Sequence, residues 1–304
     1  MTAPLVIVFG RTGQVGSELA RAALPADMRL VSVARDEVDL TAPPSAIAAA
    51  LDRYAGEAAS VVVVNAAAYT AVDRAESEPD VCHAVNCDGA AAIAEICAAR
   101  NFPLVHLSTD YVFDGRKPGP YGEDDRVGPE SVYGRTKLAG EEAVRRLCPA
   151  HVVVRTSWVY SPFGTNFVKT MLRLSRERLE LGIVDDQHGC PTAAGDIAAA
   201  IVAIASQIAA GKTDGFGTFH YCGEGVCTWF ELAQAVFAAA GPHGHPVPRL
   251  RPITTSEYPT PARRPANSVL DCSKIREVYN IDARPWQTAV GACVDELLGA
   301  KGGV

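Results

Sequence analysis

The stretch that decides the fold is Leu5–Phe9 together with the turn Gly10–Gly16 that follows it, LVIVF-GRTGQVG. Five consecutive apolar residues predict a strand that is covered on both faces, as in a parallel sheet. Glycines spaced G-x-x-G-x-x-G predict a tight turn that opens directly into a helix. Backbone N–H groups at such a helix N-terminus can bind a pyrophosphate. The segment therefore indicates a dinucleotide-binding strand, turn and helix.

The alternation of strand and helix continues outward from this segment through the first half of the chain. The predicted strands are Leu5–Phe9, Leu30–Val33, Val61–Asn65, Leu104–Ser108 and Val152–Thr156. The predicted helices between them are Gln14–Leu24, Pro44–Tyr54, Asp88–Arg100 and Val132–Leu147. This alternation predicts an α/β fold with a Rossmann-like, doubly wound parallel sheet.

The alternation loosens after about residue 160. Further helices are predicted at Asn166–Arg178, Gly195–Ala209, Thr228–Ala239 and Pro285–Leu298. Short strands and proline-rich loops such as Pro246–Pro265 separate them. We expect a dinucleotide-binding Rossmann domain over residues 1–160 and a smaller, mainly substrate-binding C-terminal lobe over 161–304, with an approximate boundary across which the two can interleave. The last residues, Lys301–Val304, are expected to fray.

Composition and charge narrow the class of protein. The chain is 48% hydrophobic and 21% charged, with a net charge of −7 and a pI near 5.5, which suits neither nucleic acid nor an anionic membrane as main partner. The apolar run Ile197–Ser206 has about half of the roughly 20 residues that a bilayer-spanning helix needs. Pro4–Phe9 is too short for the apolar region of a signal peptide. We therefore expect a cytoplasmic protein.

The cysteines give no sign of a disulfide framework or of a metal site. Nine of them are scattered along the chain, and no C-x-x-C pair occurs. Cys222 and Cys227 lack the second pair that a zinc site requires. We expect free thiols in a reducing compartment and predict no metal ligands.

A phenol and an ammonium, Tyr133 and Lys137, stand four residues apart on one face of a predicted helix. Reduction of a ketone requires a proton at the carbonyl oxygen, and we expect Lys137 to lower the pKa of Tyr133 toward that task. The preceding strand ends in Ser108 and Thr109, at the edge where open α/β sheets bind ligands. Either hydroxyl can hold a substrate carbonyl for the tyrosine. The pattern favours a nicotinamide-dependent ketone reductase.

The identity of the nicotinamide cofactor is suggested by the end of the second strand. Arg35 lies there, where an arginine suits a ribose 2′-phosphate and an acid suits a 2′-hydroxyl. Asp36 and Asp39 are close by, so we expect NADPH and keep NADH as possible. The small residues Ala66–Ala68, after the third strand, leave room for the cofactor ribose and nicotinamide.

Seven segments resemble the dTDP-4-dehydrorhamnose reductase family of extended short-chain dehydrogenases. They are FGRTGQVGSEL, VNAAAYTAVDRAESEP, HLSTDYVFDG, VYGRTKLAGE, RTSWVYSPFGTNFVKTML, DDQHGCPT and YPTPARRPANSVL, and they run from residue 9 to residue 270. The resemblance implies NAD(P)H-dependent reduction of the 4-keto group of dTDP-4-dehydro-L-rhamnose to dTDP-L-rhamnose. The implied partner is a dTDP-linked deoxysugar, and a homodimer is possible.

The resemblance also implies roles for individual residues. Thr109, Tyr133 and Lys137 match the catalytic trio of the family, with Tyr133 as proton donor. Residues that match nucleotide-sugar contacts, or suit the diphosphate by charge, are Thr109, Asp110, Trp158, Arg263 and Arg264. Residues expected at the cofactor, from the resemblance or from the turn and strand pattern, are Gly10, Thr12, Gly13, Gln14, Val15, Gly16, Arg35, Asp39, Leu40, Ala66, Ala67, Ala68, Tyr133 and Lys137.

Magnesium is a further question that the resemblance raises, since some members of the family carry it at a dimer contact. Glu18 and Glu296 match two of the acidic positions, but Gly195 stands at a third, with Asp196 beside it. The sequence leaves open whether a metal links two copies of this chain.

Three other interpretations remain at this point. The motifs do not separate dTDP-4-dehydro-L-rhamnose from another dTDP-4-keto-6-deoxyhexose, because a few pocket side chains decide sugar stereochemistry. A non-catalytic regulatory subunit can share this fold, although the intact Thr109, Tyr133 and Lys137 argue against it. An epimerase or dehydratase on the same fold would retain its cofactor and show no net oxidation of it.

Overall fold

The computed structural model describes residues 3–58 and 60–299, so the expected fraying of Lys301–Val304 lies outside the described residues. The strands are β1 (Leu5–Phe9), β2 (Arg29–Val33), β3 (Val61–Asn65), β4 (Leu104–Thr109), β5 (His151–Thr156), β6 (Val159–Tyr160), β7 (Glu180–Val184), β8 (His188–Gly189), β9 (Thr192–Ala193), β10 (Gly217–His220), β11 (Cys227–Thr228), β12 (Arg249–Ile253) and β13 (Asn267–Ser268). The helices are α1 (Gln14–Arg21), α2 (Pro44–Ala55), α3 (Val72–Ala75), α4 (Pro79–His83), α5 (Gly89–Ala99), α6 (Val132–Leu147), α7 (Phe167–Leu174), α8 (Ala194–Ala209), α9 (Trp229–Ala240), α10 (Ser273–Tyr279) and α11 (Trp286–Gly299).

Six strands of the described chain form one parallel sheet in the order β10-β5-β4-β3-β1-β2. β1 lies between β2 and β3, and its last residue, Phe9, pairs with Val33 on one side and Asn65 on the other. The strand order reverses beside β1, which leaves a crevice at the carboxyl ends of β1 and β3. The Rossmann-like, doubly wound parallel sheet that the sequence predicts is confirmed.

Both faces of this sheet are buried, because successive side chains of each strand point to opposite sides. On one side Val6 and Val8 pack in a cluster with residues of α1, α8 and α10. On the other side Leu5, Ile7 and Phe9 pack in a cluster with residues of α2, α5 and α6. The unbroken apolar runs of the strands are thus explained by two helical layers.

The bounds of most elements lie within a few residues of their predicted positions, and α1 illustrates why some differ. The sequence predicts that this helix reaches Leu24, but it ends at Arg21. Ala22 is already extended, with ψ of 143°, and its N–H bonds the carbonyl of Leu19. Pro25 further disfavours a helical conformation at Leu24, since its ring crowds the preceding residue.

The second half of the chain contributes both to the main sheet with its helices and to a separate C-terminal core. β10 pairs with β5 at the edge of the main sheet, and α8 packs on one face of that sheet. Around a separate core, α7, α9 and α11 pack together with Trp286 and Val290 among the buried residues. The two parts therefore interleave in sequence, and the division into domains at 1–160 and 161–304 stays a prediction.

The sequence did not reveal the short helices α3, α4 and α10 or the π-helical turn Ala84–Asp88 that joins α4 to α5. The turn carries Asn86, which is buried. The Asn86 amide accepts a hydrogen bond from the Tyr69 backbone N–H at 2.8 Å and donates one to the Tyr69 carbonyl at 3.2 Å. The irregular turn thus holds the loop that follows β3 in place.

The continuous helical segment Pro79–Ala99 is longer than the apolar run Ile197–Ser206 that the sequence analysis compared with a membrane span. The segment has 21 residues and a mean hydropathy of 1.2, so by length and composition alone it is able to cross a membrane. Half of its most apolar window is buried inside the protein, and Ile93 and Cys97 pack against the sheet there. Core helices share these properties. The cytoplasmic location and the absence of a membrane partner stay predictions.

All nine cysteines lie in the described ranges and carry free thiols, as expected.

A buried ion pair joins α6 to β5. The Glu141 carboxylate accepts hydrogen bonds from Arg155 Nε at 2.9 Å and Nη2 at 2.7 Å, and from Arg145 Nη1 at 2.9 Å. Glu141 is 0% exposed and Arg155 is 2% exposed. Because removal of one partner leaves the other charge buried and unpaired, such a pair is costly to break.

We expect Glu141→Ala to lower the free energy of unfolding by about 3–5 kcal/mol, because it leaves the Arg155 guanidinium buried without an anion. Urea denaturation measures this change. Glu142→Ala is the matched control, since Glu142 is the exposed neighbour on the same helix and its loss is expected to change stability by less than about 0.5 kcal/mol. Equal effects of the two substitutions would contradict the importance of the pair.

Candidate active site

A cavity of about 710 Å³ opens at the carboxyl edge of the main sheet. It runs from the turn between β1 and α1, past the ends of β3, β4 and β5, to the start of the C-terminal lobe. The predicted site residues in its lining are Gly10, Thr12, Gly13, Gln14, Val15, Arg35, Asp39, Leu40, Ala66, Ala67, Ala68, Thr109, Asp110, Tyr133, Lys137 and Trp158. The structure thus brings most of the sequence-predicted residues to one place.

Gly10 makes the closest backbone approach in the cavity. Its φ is +99°, and a Cβ atom built there would lie 2.6 Å from the Ala67 nitrogen. The N–H groups of Gly10 and Arg11 bond the carbonyl at the end of β2, Val33 O, at 3.2 and 3.3 Å. Only glycine permits this turn, because a Cβ atom there would collide with the backbone that follows β3. The glycine-rich turn between β1 and α1 fits a dinucleotide pyrophosphate at the N-terminus of α1.

Two of the predicted cofactor residues, Gly16 and Gln14, have structural contacts of their own. Gly16 sits behind the turn, where a Cβ would lie 2.1 Å from the Gly10 carbonyl oxygen, so it serves the packing of α1. Gln14 lines the cavity but also joins the two lobes. Its side-chain carbonyl accepts hydrogen bonds from Ser161 Oγ at 3.2 Å and from Asn166 Nδ2 at 2.9 Å.

Two arginines lie near the carboxyl end of β2, and the sequence analysis identified only one of them. Arg35 is exposed and donates from Nε to Asp39 at 2.8 Å. Arg11, inside the glycine-rich turn, lies 3.8 Å from Glu37. The backbone N–H of Thr41 and then Arg35 hold the pKa of Asp39 below its usual range. The signal for Arg11 was its place between two glycines of the turn.

Tyr133 and Lys137 both face the cavity from α6. Lys137 is 2% exposed, and its Nζ donates to the Leu107 carbonyl at 2.7 Å. Burial lowers the pKa of Lys137 to about 8, and Glu141 partly opposes this shift. Burial raises the pKa of Tyr133 above its usual range, while a hydrogen bond with Thr109 opposes the rise. Our expectation of a lowered phenol pKa was therefore wrong for the protein alone, because desolvation outweighs the hydrogen bond with Thr109.

Thr109, Asp110 and Ser268 form a chain of hydrogen bonds beside Tyr133. Thr109 Oγ1 donates to Asp110 Oδ1 at 2.9 Å, and Ser268 Oγ donates to Asp110 Oδ2. Burial raises the pKa of Asp110 to about 6, and these two donors restrain the rise. Ser268 comes from β13, so this chain connects the C-terminal lobe to the end of β4. The sequence analysis missed Ser268, because only the tertiary structure brings it next to Asp110.

Arg263 and Arg264 lie outside the cavity lining that the described residues form. Arg264 makes two hydrogen bonds to the Asp73 carboxylate, at 2.7 and 2.6 Å, and Arg263 lies 2.7 Å from Glu130. Desolvation opposes the charge of the half-buried Arg264, but the Asp73 carboxylate still raises its pKa. Both guanidinium groups therefore already have carboxylate partners near the cavity entrance.

Trp158 forms part of the cavity wall at the start of the C-terminal lobe. Its φ is +49°, in the left-handed region that a bulky side chain rarely adopts. Such a conformation costs about 1–3 kcal/mol and persists where the surrounding structure enforces it, most often at functional sites. The strain was not readable from the sequence.

The acidic residues that match magnesium positions in some relatives lie next to arginine side chains in this structure. Arg21 donates to Glu18 at 2.6 and 2.9 Å and to Glu296 at 2.6 and 3.1 Å, so a guanidinium lies between the two carboxylates. Asp196 pairs with Arg284 at 3.0 Å, and Gly195 offers no ligand. Within one copy of the chain, two arginines thus offset two of the three negative charges of Glu18, Glu296 and Asp196.

Away from the cavity, His83, Cys87 and Asp88 bring ligand atoms within 4.8 Å of one another on the π-helical turn. His83 and Asp88 are exposed and lie 3.4 Å apart, which an ordinary surface pair explains. The prediction that the chain has no metal ligands stays a prediction.

Comparison with known proteins accounts for this combination of fold and site. The chain matches the family described as RmlD substrate binding domain over residues 4–298. The dTDP-4-dehydrorhamnose reductase of Sinorhizobium fredii is 46% identical over 292 residues, which cover 96% of this chain and 97% of that protein. A crystal structure of a dTDP-4-dehydrorhamnose reductase from Clostridium acetobutylicum superimposes with a TM-score of 0.88 at 33% identity, and covers 96% of this chain and 99% of its own.

A second solved structure is the dTDP-4-dehydrorhamnose reductase of Bacillus anthracis in complex with NADP. Its TM-score is 0.87 at 32% identity, and the match covers 97% of this chain and 99% of that one. The resemblance that the sequence motifs indicated is confirmed. This chain is a member of the RmlD substrate binding domain family and an oxidoreductase.

Proposed function

We propose that this protein reduces the 4-keto group of dTDP-4-dehydro-L-rhamnose to give dTDP-L-rhamnose, with NADPH as the reductant. The observation that carries the proposal is the position of Thr109, Tyr133 and Lys137 in one cavity with the glycine-rich turn. Relatives that match nearly the whole chain bear the name of this reductase, which supports the choice of sugar.

NADPH is favoured over NADH because two arginines flank the end of β2. Guanidinium groups bind a phosphate through charge and paired N–H donors, which a ribose 2′-hydroxyl does not require. Arg11 and Arg35 now pair with Glu37 and Asp39, and a 2′-phosphate would compete for both cations. The complex of the Bacillus anthracis relative with NADP supports the same choice. NADH stays the alternative.

Each catalytic side chain has a role that follows from its surroundings. NADPH, when bound, supplies the hydride that reduces C4. Tyr133 holds its proton at neutral pH, as a phenol with the ordinary pKa of about 10 does, and it releases the proton to the carbonyl oxygen as negative charge develops there. Thr109 hydrogen-bonds Tyr133 and fixes the direction of its hydroxyl. Lys137 is anchored at Leu107 O and uses its remaining N–H donors for the nicotinamide ribose.

Asp110 and Trp158 are proposed to contact the nucleotide-sugar, since both line the cavity beyond Tyr133. Arg263 and Arg264 are proposed for the diphosphate, which would have to compete with Glu130 and Asp73 for them. A homodimer stays a prediction.

The function is tested by mixing the purified protein with NADPH and freshly generated dTDP-4-dehydro-L-rhamnose. We expect substrate-dependent loss of the reduced-nicotinamide absorbance, with dTDP-L-rhamnose as the product, and a lower KM for NADPH than for NADH. Turnover only with another dTDP-4-keto-6-deoxyhexose would contradict the choice of sugar. Absence of any NADPH oxidation, beside a working control enzyme, would contradict the reductase assignment.

In the same assay we expect Tyr133→Phe to lower kcat by at least about 100-fold, because the proton donor is lost. Tyr258→Phe is the matched control, since Tyr258 is exposed, and its kcat is expected to stay at the wild-type value. Circular dichroism and NADPH binding verify that both variants are folded. Near-full turnover by folded Tyr133→Phe would show that this tyrosine is not the donor.

The affinity for NADPH is expected to fall as the pH rises past about 8, because Lys137 has a lowered pKa of about 8 and is charged only below it. Fluorescence titrations of NADPH from about pH 7 to about pH 9.5 measure this, in a range where the 2′-phosphate charge is nearly constant. Lys137→Met is expected to bind NADPH weakly and with no such pH dependence. A wild-type affinity that stays constant over this range would contradict the role of the ammonium.

A further inference from the structure

Two indole rings are stacked where the cavity meets the C-terminal lobe. The ring centroids of Trp158 and Trp229 lie 3.6 Å apart, and their planes differ by 8°. Trp158 lines the cavity, whereas Trp229 lies behind it and packs on Phe167, with 4.7 Å between ring centroids. Trp229 Nε1 donates to Gln187 Oε1 at 3.1 Å, which fixes the ring in its own plane.

The backbone of Trp158 is held from several directions. Its φ of +49° is strained for a tryptophan. The Trp158 carbonyl accepts a hydrogen bond from the Thr192 N–H at 3.2 Å, and the neighbouring Ser157 Oγ donates to the Cys190 carbonyl at 2.9 Å. A Cβ on Gly189 would lie 2.4 Å from the Trp158 ring, so only glycine leaves room for the indole.

The pairing of two strands brings Trp229 close to Gly189. β11 pairs antiparallel with β8, with Cys227 opposite Gly189 and Thr228 opposite His188. Thr228 then caps α9, since its hydroxyl accepts the Glu231 N–H at 3.2 Å and its own N–H donates to the Glu231 carboxylate at 2.8 Å. Trp229 is the first residue of that helix. The capping box of Thr228 and Glu231 fixes the backbone there and so restricts the direction of the Trp229 side chain.

We propose that Trp229 is a positioning residue for Trp158, whose backbone is strained. Its ring holds the Trp158 indole in place as a wall of the part of the cavity that we propose for the nucleotide-sugar. This inference rests on the proposed function, because it takes the nucleotide-linked keto sugar as the molecule that contacts Trp158. Trp158 lines the cavity, and an indole wall suits C–H surface of the substrate rather than its charged diphosphate. Trp229 acts through Trp158, and Gly189 provides the space.

The stack itself is tested without any substrate. Two stacked indoles at this distance couple their electronic transitions, and the far-ultraviolet circular dichroism spectrum shows an exciton couplet when the transition moments are rotated relative to each other within the stacked planes. The chain has three tryptophans, so Trp286→Phe is a matched control that should keep the couplet, whereas Trp158→Phe and Trp229→Phe should each abolish it. A couplet that survives Trp229→Phe would overturn the proposal.

The positioning role is tested by kinetics with NADPH and the keto sugar. We expect Trp229→Ala to raise the KM for the sugar about tenfold and to leave the KM for NADPH within about twofold, with partial rescue in Trp229→Phe. Because Trp229 acts through Trp158, the double variant Trp158→Ala, Trp229→Ala should resemble Trp158→Ala alone.

The outcomes separate this proposal from the proposed function. Multiplicative effects of the two substitutions, an unchanged KM for the sugar in Trp229→Ala, or a matching rise in the KM for NADPH would overturn the positioning role. Absence of turnover by the wild-type protein would instead overturn the proposed function, while the dichroism of the free protein still decides whether the two indoles are coupled.

Discussion

The contact between Gly10 and the backbone of Ala66 and Ala67 is the constraint on which the rest of the site depends. A Cβ at Gly10 would lie 2.6 to 2.9 Å from atoms of these two residues, so the β1–α1 turn and the end of β3 meet backbone to backbone. This contact sets the floor of the cavity beside the point where the strand order reverses. A side chain at Gly10 would move the turn away from β3 and close the space in which a cofactor can lie.

Burial in the cavity also governs the protonation of the side chains that line it. Burial favours the neutral form of each one, so the pKa of Lys137 falls to about 8, that of Asp110 rises to about 6, and that of Tyr133 rises above its usual range. A buried, protonated phenol is suited to giving a proton to a developing alkoxide. Tyr133 is therefore protonated at neutral pH, as an ordinary phenol is, and desolvation raises its pKa further.

The C-terminal half does more than cover the cavity, because it fixes side chains that belong to the first half. Ser268 bonds Asp110, and Ser161 with Asn166 bonds Gln14 of the glycine-rich turn. Arg21 joins α1 to α11 through Glu296. These long-range hydrogen bonds tie the two lobes together, and those to Asp110 and Gln14 do so at the cavity itself. The geometry of the site therefore depends on how the lobes are packed as much as on the sheet.

The sequence by itself determined five of the six strands of the main sheet and the segments that reach its carboxyl edge, because apolar runs, glycine spacing and helix periodicity are local signals. It also indicated Tyr133, Lys137 and a hydroxyl at Ser108 or Thr109 as candidates, since an i, i+4 pair and a strand end are readable along the chain, and the family resemblance favoured Thr109. The tertiary structure decided the direction of the Tyr133 pKa shift, the pairing of Ser268 with Asp110, and the stack of Trp229 on Trp158. Each of these depends on burial or on contact between residues distant in sequence, and a pattern of neighbouring residues carries no information about either.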